Sequence, residues 1–234
     1  MFTRLGMWMV ASLLCVNTAY AIPQQMNAVY DLYRNGQKLG TVTENFTRTG
    51  KQYRIVSETQ ATGSLQLLWP GTIRLESKGE VRPSGLRPLS FSHARSDKPK
   101  KTAFATLDWP KHTTSFQYKG ETRQENRLRE NTQDQLSQLY QFVFMPRLPT
   151  DYALDVVSGK SVNAYRYARR DSGKIEVPAG QFAVQEFARI MSPGDDKAVT
   201  VWVAPARKNF PVQVRVVEDG ATLEQRLVRL TIKP

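Results

Sequence analysis

The stretch "SGKS" at residues 158–161 carries the lysine and hydroxyl that close a phosphate-binding loop. Such a loop also needs a glycine five residues before Gly159, so that backbone N–H groups can reach the phosphate. That position is Leu154, and no helical pattern follows, so the stretch reads as a β-turn. The histidines, His93 and His112, belong to no paired-histidine motif, and no C-x-x-C occurs. A tetrahedral zinc site would have to draw carboxylates from distant segments. No G-x-S-x-G elbow presents a serine nucleophile. Asp195-Asp196 and Glu218-Asp219 adjoin glycines. Glycosidases hold two carboxylates apart across a cleft, whereas these adjacent pairs read as solvated turn residues. No catalytic residue, metal or other cofactor is therefore expected. The row "YRYARR" at 165–170 is the exception worth keeping. On a strand, Tyr165, Tyr167 and Arg169 share one face, and Arg166, Ala168 and Arg170 share the other. The arginines can grip anionic groups, so Arg166, Arg169 and Arg170 are candidate contacts for an anionic surface. The alternative packs the tyrosines inward and leaves the arginines in water.

The elements that must position these residues read as short strands. "YDLYRNGQKLG" holds Asn35-Gly36, a strong two-residue hairpin signal, and Thr49-Gly50 marks a second turn. Tyr30, Leu32 and Arg34 point one way, and Val29, Asp31 and Tyr33 the other. Val199, Val201 and Val203 alternate with Thr200 and Trp202. Turn signals recur about every 8 to 12 residues from residue 28 onward, which favours an all-β sandwich, barrel or rolled sheet. Strands with one apolar and one polar face suit antiparallel pairing. No long helices alternate with them, so no doubly wound fold is expected.

Residues 132–145 break that rhythm. Thr132 can cap a helix, Gln135 can complete a capping box, and Asp134 suits the positive end of the helix dipole. Leu136, Leu139, Tyr140 and Val143 then recur at i, i+3, i+4 and i+7, and Pro146 and Pro149 end the pattern. The spacing predicts one amphipathic helix of about three turns, with its apolar face buried on a sheet. It either fills the concave side of that sheet or gates a cavity. In the second case Leu136, Leu139, Tyr140 and Val143, with Trp69 and Trp202, would line a ligand site between sheet and helix. The expected fold class is mainly β: a curved antiparallel sheet, or a partly open barrel or roll, with one central amphipathic helix.

The order of "YDLYRNGQKLG", "TQDQLSQLYQF", "IEVPAGQFAVQEFAR" and "VWVAPARKNFPVQVRV" resembles a bacterial family of exported proteins known as domain of unknown function 3108. The resemblance spans roughly residues 28–232. It sets the family's Asp-x-x-Ser helix start on Asp134 and Ser137, its turn on Pro178 to Gly180, and its late tryptophan and proline-led strand on Trp202 and Pro211. It implies an envelope location and a curved, mostly antiparallel β architecture, and no assigned activity.

The opening residues have the layout of a secretory leader: Arg4, an apolar run at 7–16, and small residues at Ala19 and Ala21. Cleavage is expected after Ala21, leaving one β-rich domain over 22–234 in a bacterial periplasm. Lipidation at Cys15 would need a small preceding residue, and Leu14 stands there. Cys15 is the only cysteine, so the exported chain would have no thiol chemistry. The net charge of +12, one less without Arg4, suits anionic envelope partners. An exported protein seldom meets nucleic acid, so none is expected. The leading expectation is a non-enzymatic binder of an apolar or amphipathic envelope ligand, such as a lipid. A module that docks on an envelope complex, through an envelope protein, is the first alternative. A hydrolase of an envelope polymer is the second, and it would need a polar cleft with a perturbed acid–base pair.

Overall fold

A computed structural model describes residues 22–68, 70–145 and 147–234. The leader and its cleavage site, Trp69 and Pro146 lie outside the described residues. The first half of the chain forms β1 (Gln25–Arg34), β2 (Gln37–Thr49), β3 (Gln52–Ala61), β4 (Thr72–Arg82), β5 (Gly85–Arg95), β6 (Ala103–Asp108), β7 (Thr113–Tyr118) and β8 (Glu121–Glu125). The second half forms β9 (Gln133–Asp134), β10 (Asp151–Val157), β11 (Val162–Val177), β12 (Gly180–Arg189), β13 (Lys197–Ala204), β14 (Phe210–Glu218) and β15 (Ala221–Lys233). Two short α-helical turns, α1 (Leu65–Leu68) and α2 (Ser137–Tyr140), interrupt the strands.

All the strands belong to one sheet, ordered β8-β7-β6-β5-β4-β3-β2-β1-β15-β14-β13-β12-β11-β10-β9. Strands consecutive in sequence are neighbours in the sheet, except β8 and β9 at its two edges, and β1 also pairs with β15, which brings the two ends of the described chain together at the middle. Pairing is antiparallel throughout except between β9 and β10. The hairpin signals act as expected. Asn35 and Gly36 both take positive φ, at 48° and 82°, the conformation that matches the twist of the flanking strands. The sheet is open: β8 and β9, at the ends of the order, do not pair. Among the described residues no helix is long and apolar enough to cross a membrane.

The alternation also holds. Met26, Ala28 and Tyr30 of β1, Val42 and Phe46 of β2, and Ile55 of β3 are buried in one core cluster. Val199, Val201 and Val203 of β13 join Phe187, Tyr167 and Leu154 in a second. Both clusters pack against residues 132–145, which lie inside the bend of the sheet. The second cluster takes in Phe142, and the first takes in Leu136, Tyr140, Val143 and Phe144.

The predicted three-turn helix over 132–145 is not formed. Its place is taken by β9, the single turn α2, and a 3₁₀ turn at Gln141–Phe144. Local side-chain bonds compete with the helix here. Asp134 Oδ1 accepts from the backbone N–H groups of Leu136 (2.9 Å) and Ser137 (2.8 Å), and Ser137 Oγ accepts from Asp134 N (2.8 Å). Thr132 does not cap a first turn; its Oγ1 accepts from Arg129 N upstream. Nor is the segment amphipathic in use. Ser137, Gln138 and Gln141 are buried along with Tyr140, Phe142 and Val143, so an apolar stripe was not the governing pattern. Asp134 and Ser137, the positions implied by the family resemblance, do make the start of the turn.

Candidate functional site

The segment at 132–145 is held to both halves of the sheet by buried polar pins. Gln133 Nε2 donates to Leu86 O (2.7 Å), Leu86 N donates to Gln141 Oε1 (2.7 Å), and Gln141 Nε2 donates to Ser84 O (2.9 Å). These tie it to β5. Tyr167 Oη of β11 donates to Gln138 Oε1 (3.1 Å), and Asn209 Nδ2 donates to Met145 O (3.1 Å). These tie it to the other half.

Two buried carboxylates anchor it, Asp134 within the segment and Glu44 on the sheet. Asp134 accepts from Ser77 Oγ, which is 3.0 Å from Tyr53 Oη. Glu44 of β2 accepts from Tyr140 Oη at 3.0 Å. Burial raises the pKa of Asp134 to about 6, against the pull of the hydroxyl and backbone N–H groups that favour its charged form. Burial raises Glu44 to about 7, with Tyr140 and Ser57 pulling the other way. Perturbed carboxylates can mark acid–base catalysis. These two, however, are only 3% exposed (Glu44) and 0% exposed (Asp134). Their hydroxyl partners are themselves buried in the core. Their hydrogen bonds hold the segment in place.

The other half of the concave face is uncovered. Register carries the inward face of β1 from Tyr30 to Leu32 and Arg34, and from there to Gln225 and Leu223 of β15. The same face continues through Thr59 of β3 and its partner Ile73 of β4, which pairs with Arg95 of β5. These side chains, with Leu39, Glu218, Asp219 and Ala221, line a groove of about 630 Å³. Its lining is mostly apolar carbon. Arg95 is engaged by Asp97 and Glu218 by Lys197. Arg34 has no ion-pair partner among the described residues.

The residues singled out from sequence separate. Leu136, Tyr140 and Val143 are buried in the main cluster, and Leu139 is half-buried against both clusters. None of them borders the groove. Trp202 is buried in the same main cluster; its indole N–H donates to Glu186 (3.0 Å), and the Arg215 guanidinium lies 5.0 Å from its ring. The row at 165–170 packs Tyr167 into the core and keeps the arginines exposed. Arg166 pairs with Asp151 (2.7 Å), Arg170 with Glu186 (3.8 Å), and Arg169 donates to Leu148 O (3.0 Å). The three are not brought to one site. Among the described residues no group of three or more His, Cys, Asp or Glu side chains is placed to hold a metal. The 158–161 stretch is a turn closed by Ser158 N donating to Ser161 O.

Sequence reasoning missed Glu44 and the groove. Glu44 had a signal: it stands between Val42 and Phe46 at inward positions of an apolar alternation. The groove had little, because it depends on which residues of β1 and β15 meet.

In fold, the chain is similar to a beta-barrel-like protein of the domain of unknown function DUF1849 from Brucella abortus. That match has a TM-score of 0.54 at 12% identity and covers 90% of this chain and 99% of that one. A protein from Parabacteroides distasonis, provisionally described as a lipoprotein, matches at a TM-score of 0.36 and 11% identity, over 89% of this chain and 97% of its own. A domain from Vibrio parahaemolyticus, provisionally described as outer membrane lipoprotein-sorting, matches at 0.32 and 8%, over 92% and 86%. No curated protein matches by sequence. The family model described as "Protein of unknown function (DUF3108)" matches residues 29–227, and on that extent the chain belongs to the DUF3108 family.

Proposed function

We propose that this protein is a non-enzymatic envelope protein that binds an amphipathic ligand on the open half of its concave face. The observation that carries this reading is the groove itself. Leu32, Leu39, Ile73 and Leu223 offer an apolar floor, and Arg34 stands at its edge without a carboxylate partner among the described residues. A volume of about 630 Å³ lies within the usual range for small-molecule sites. An acyl or other apolar chain would lie on the leucines, with an anionic end at Arg34. The ligand would lie beside the 132–145 segment rather than beneath it, since the apolar side chains of that segment are already used in the core. The envelope location in this proposal rests on the leader-like residues 1–21 and on the basic composition.

A fluorescent fatty-acid probe tests the groove. Leu223→Glu places a charge on its floor and is expected to weaken probe binding tenfold or more, the loss expected when about one leucine's worth of apolar contact is removed. Val217→Glu, an exposed position on the opposite face of β14, is expected to bind like the wild type. A probe that binds all three proteins equally, or none of them, contradicts the proposal.

A further inference from the structure

Two loops meet at the end of the sheet where the groove opens, one carrying an exposed apolar side chain and the other a run of lysines. The first carries α1, where Leu67 is 88% exposed, the most exposed large apolar side chain among the described residues. The second holds Lys98, Lys100 and Lys101 around a 3₁₀ turn. The two loops are joined directly. Thr72 N donates to Ser96 Oγ (2.8 Å), Ser96 N donates to Thr72 O (3.0 Å), and Gly71 sits so close to Asp97 that an added Cβ would lie 2.8 Å from its Oδ1.

More lysines converge on the same end. Lys119, in the turn between β7 and β8, borders one hollow with Lys100 and Lys101. The 158–161 turn leans on β6, with Gly159 packed on Ala103, and brings Lys160 Nζ to 3.9 Å from the Tyr118 ring centroid. The concentration of charge has a local effect: Lys160, by hydrogen bond and charge, together with Lys119 and Lys101, lowers the pKa of the half-buried Tyr118. None of Lys98, Lys100, Lys101, Lys119 and Lys160 has an ion-pair partner among the described residues. Of the nearby carboxylates, Asp97 is paired with Arg95, and Glu121 borders the cluster. Phe104, 48% exposed, stands among these lysines.

We propose that this end of the molecule docks on an anionic phospholipid bilayer, with Leu67 and Phe104 entering the interface and the lysine cluster lying over the headgroups. Charge complementarity selects the partner, because unpaired lysines are drawn to anionic lipid. A protruding leucine, 88% exposed, fits a fluid interface, which asks for no shape match. The surface is distinct from the arginine row at 165–170, whose guanidinium groups are already engaged within the chain. It does not depend on what the groove holds.

The test is flotation of the purified protein with vesicles of phosphatidylethanolamine containing phosphatidylglycerol, set against vesicles of phosphatidylcholine alone. Binding is expected on the anionic vesicles, weakening as salt rises. Replacing Lys98, Lys100, Lys101 and Lys119 with serine is expected to weaken it roughly fivefold for each lysine removed. Leu67→Asp, a change at an exposed site that leaves the fold alone, is expected to weaken it tenfold or more. Equal binding to phosphatidylcholine, full binding by the serine variant, or retention only by membrane extracts that contain protein would each overturn the proposal. The last result would assign the surface to a protein partner instead.

Discussion

Tyr140→Ala is expected to destabilise the protein by about 5 kcal/mol, a third or more of the roughly 5–15 kcal/mol margin of an ordinary domain. Tyr140 is fully buried at the middle of the segment that fills the bend of the sheet. Its ring stacks on Phe46 of β2 at 5.8 Å and meets Phe210 of β14 edge-on at 5.7 Å. It therefore bridges strands on either side of the central β1–β15 pair. Truncating a buried aromatic side chain costs about 3–5 kcal/mol through lost burial and the cavity left behind. The change also strips Glu44 of its phenolic donor and leaves it only Ser57, and under-satisfying a buried acceptor costs about 1–3 kcal/mol more. Tyr140→Phe isolates the second contribution and is expected to lose only that part. Equilibrium unfolding in urea measures both. A loss below about 1 kcal/mol for Tyr140→Ala would mean that the segment does not hold the two halves of the sheet together.

Glu44→Gln is expected to stabilise the protein at neutral and alkaline pH, by on the order of 3 kcal/mol. The sign follows from burial. Glu44 is raised from 4.5 to about 7 in the folded protein, so the native state keeps a proton that the unfolded chain has already released. Stability from this group is complete below about pH 4.5 and declines as pH rises through about 7. A shift of this size corresponds to about 1.4 kcal/mol per pH unit. Glutamine keeps an acceptor for Tyr140 and has no proton to lose. The two proteins should therefore be equally stable near pH 4 and diverge between about pH 4.5 and 7. Asp134, raised to about 6, acts in the same sense in both proteins and cancels in the comparison. Carboxylates held low by arginines, such as Glu76 at about 2, lose their contribution only in stronger acid, outside this window. Thermal melts of the pair across pH 4 to 9 check it. A difference that does not change with pH would show that Glu44 stays charged in the fold.

Much of the sheet was legible from the residues. Alternation placed Tyr30 and Leu32 on one face and Asp31 on the other, and Asn35-Gly36 set the first turn. These are local signals, and antiparallel neighbours in sequence need little else. The 132–145 segment was legible only in part. The apolar spacing of Leu136, Tyr140 and Val143 marked burial correctly, yet it gave no sign that the glutamines between them, Gln138 and Gln141, are buried too. They are buried because each finds a backbone or side-chain partner on the sheet, which no periodicity reports. The groove was not legible. It joins Leu32 and Arg34 to Leu223, residues nearly a chain length apart, through the pairing of β1 with β15. That register is a product of the whole fold.

Native mass spectrometry of the protein after gentle purification, beside the Leu223→Glu variant, tests most directly whether the groove is a binding site. The proposed function predicts that the wild type carries an added mass, released by mild activation and extractable into organic solvent, and that the variant carries little or none. Bare polypeptide mass in both preparations, or the same added mass in both, would contradict a ligand held on the open half of the concave face.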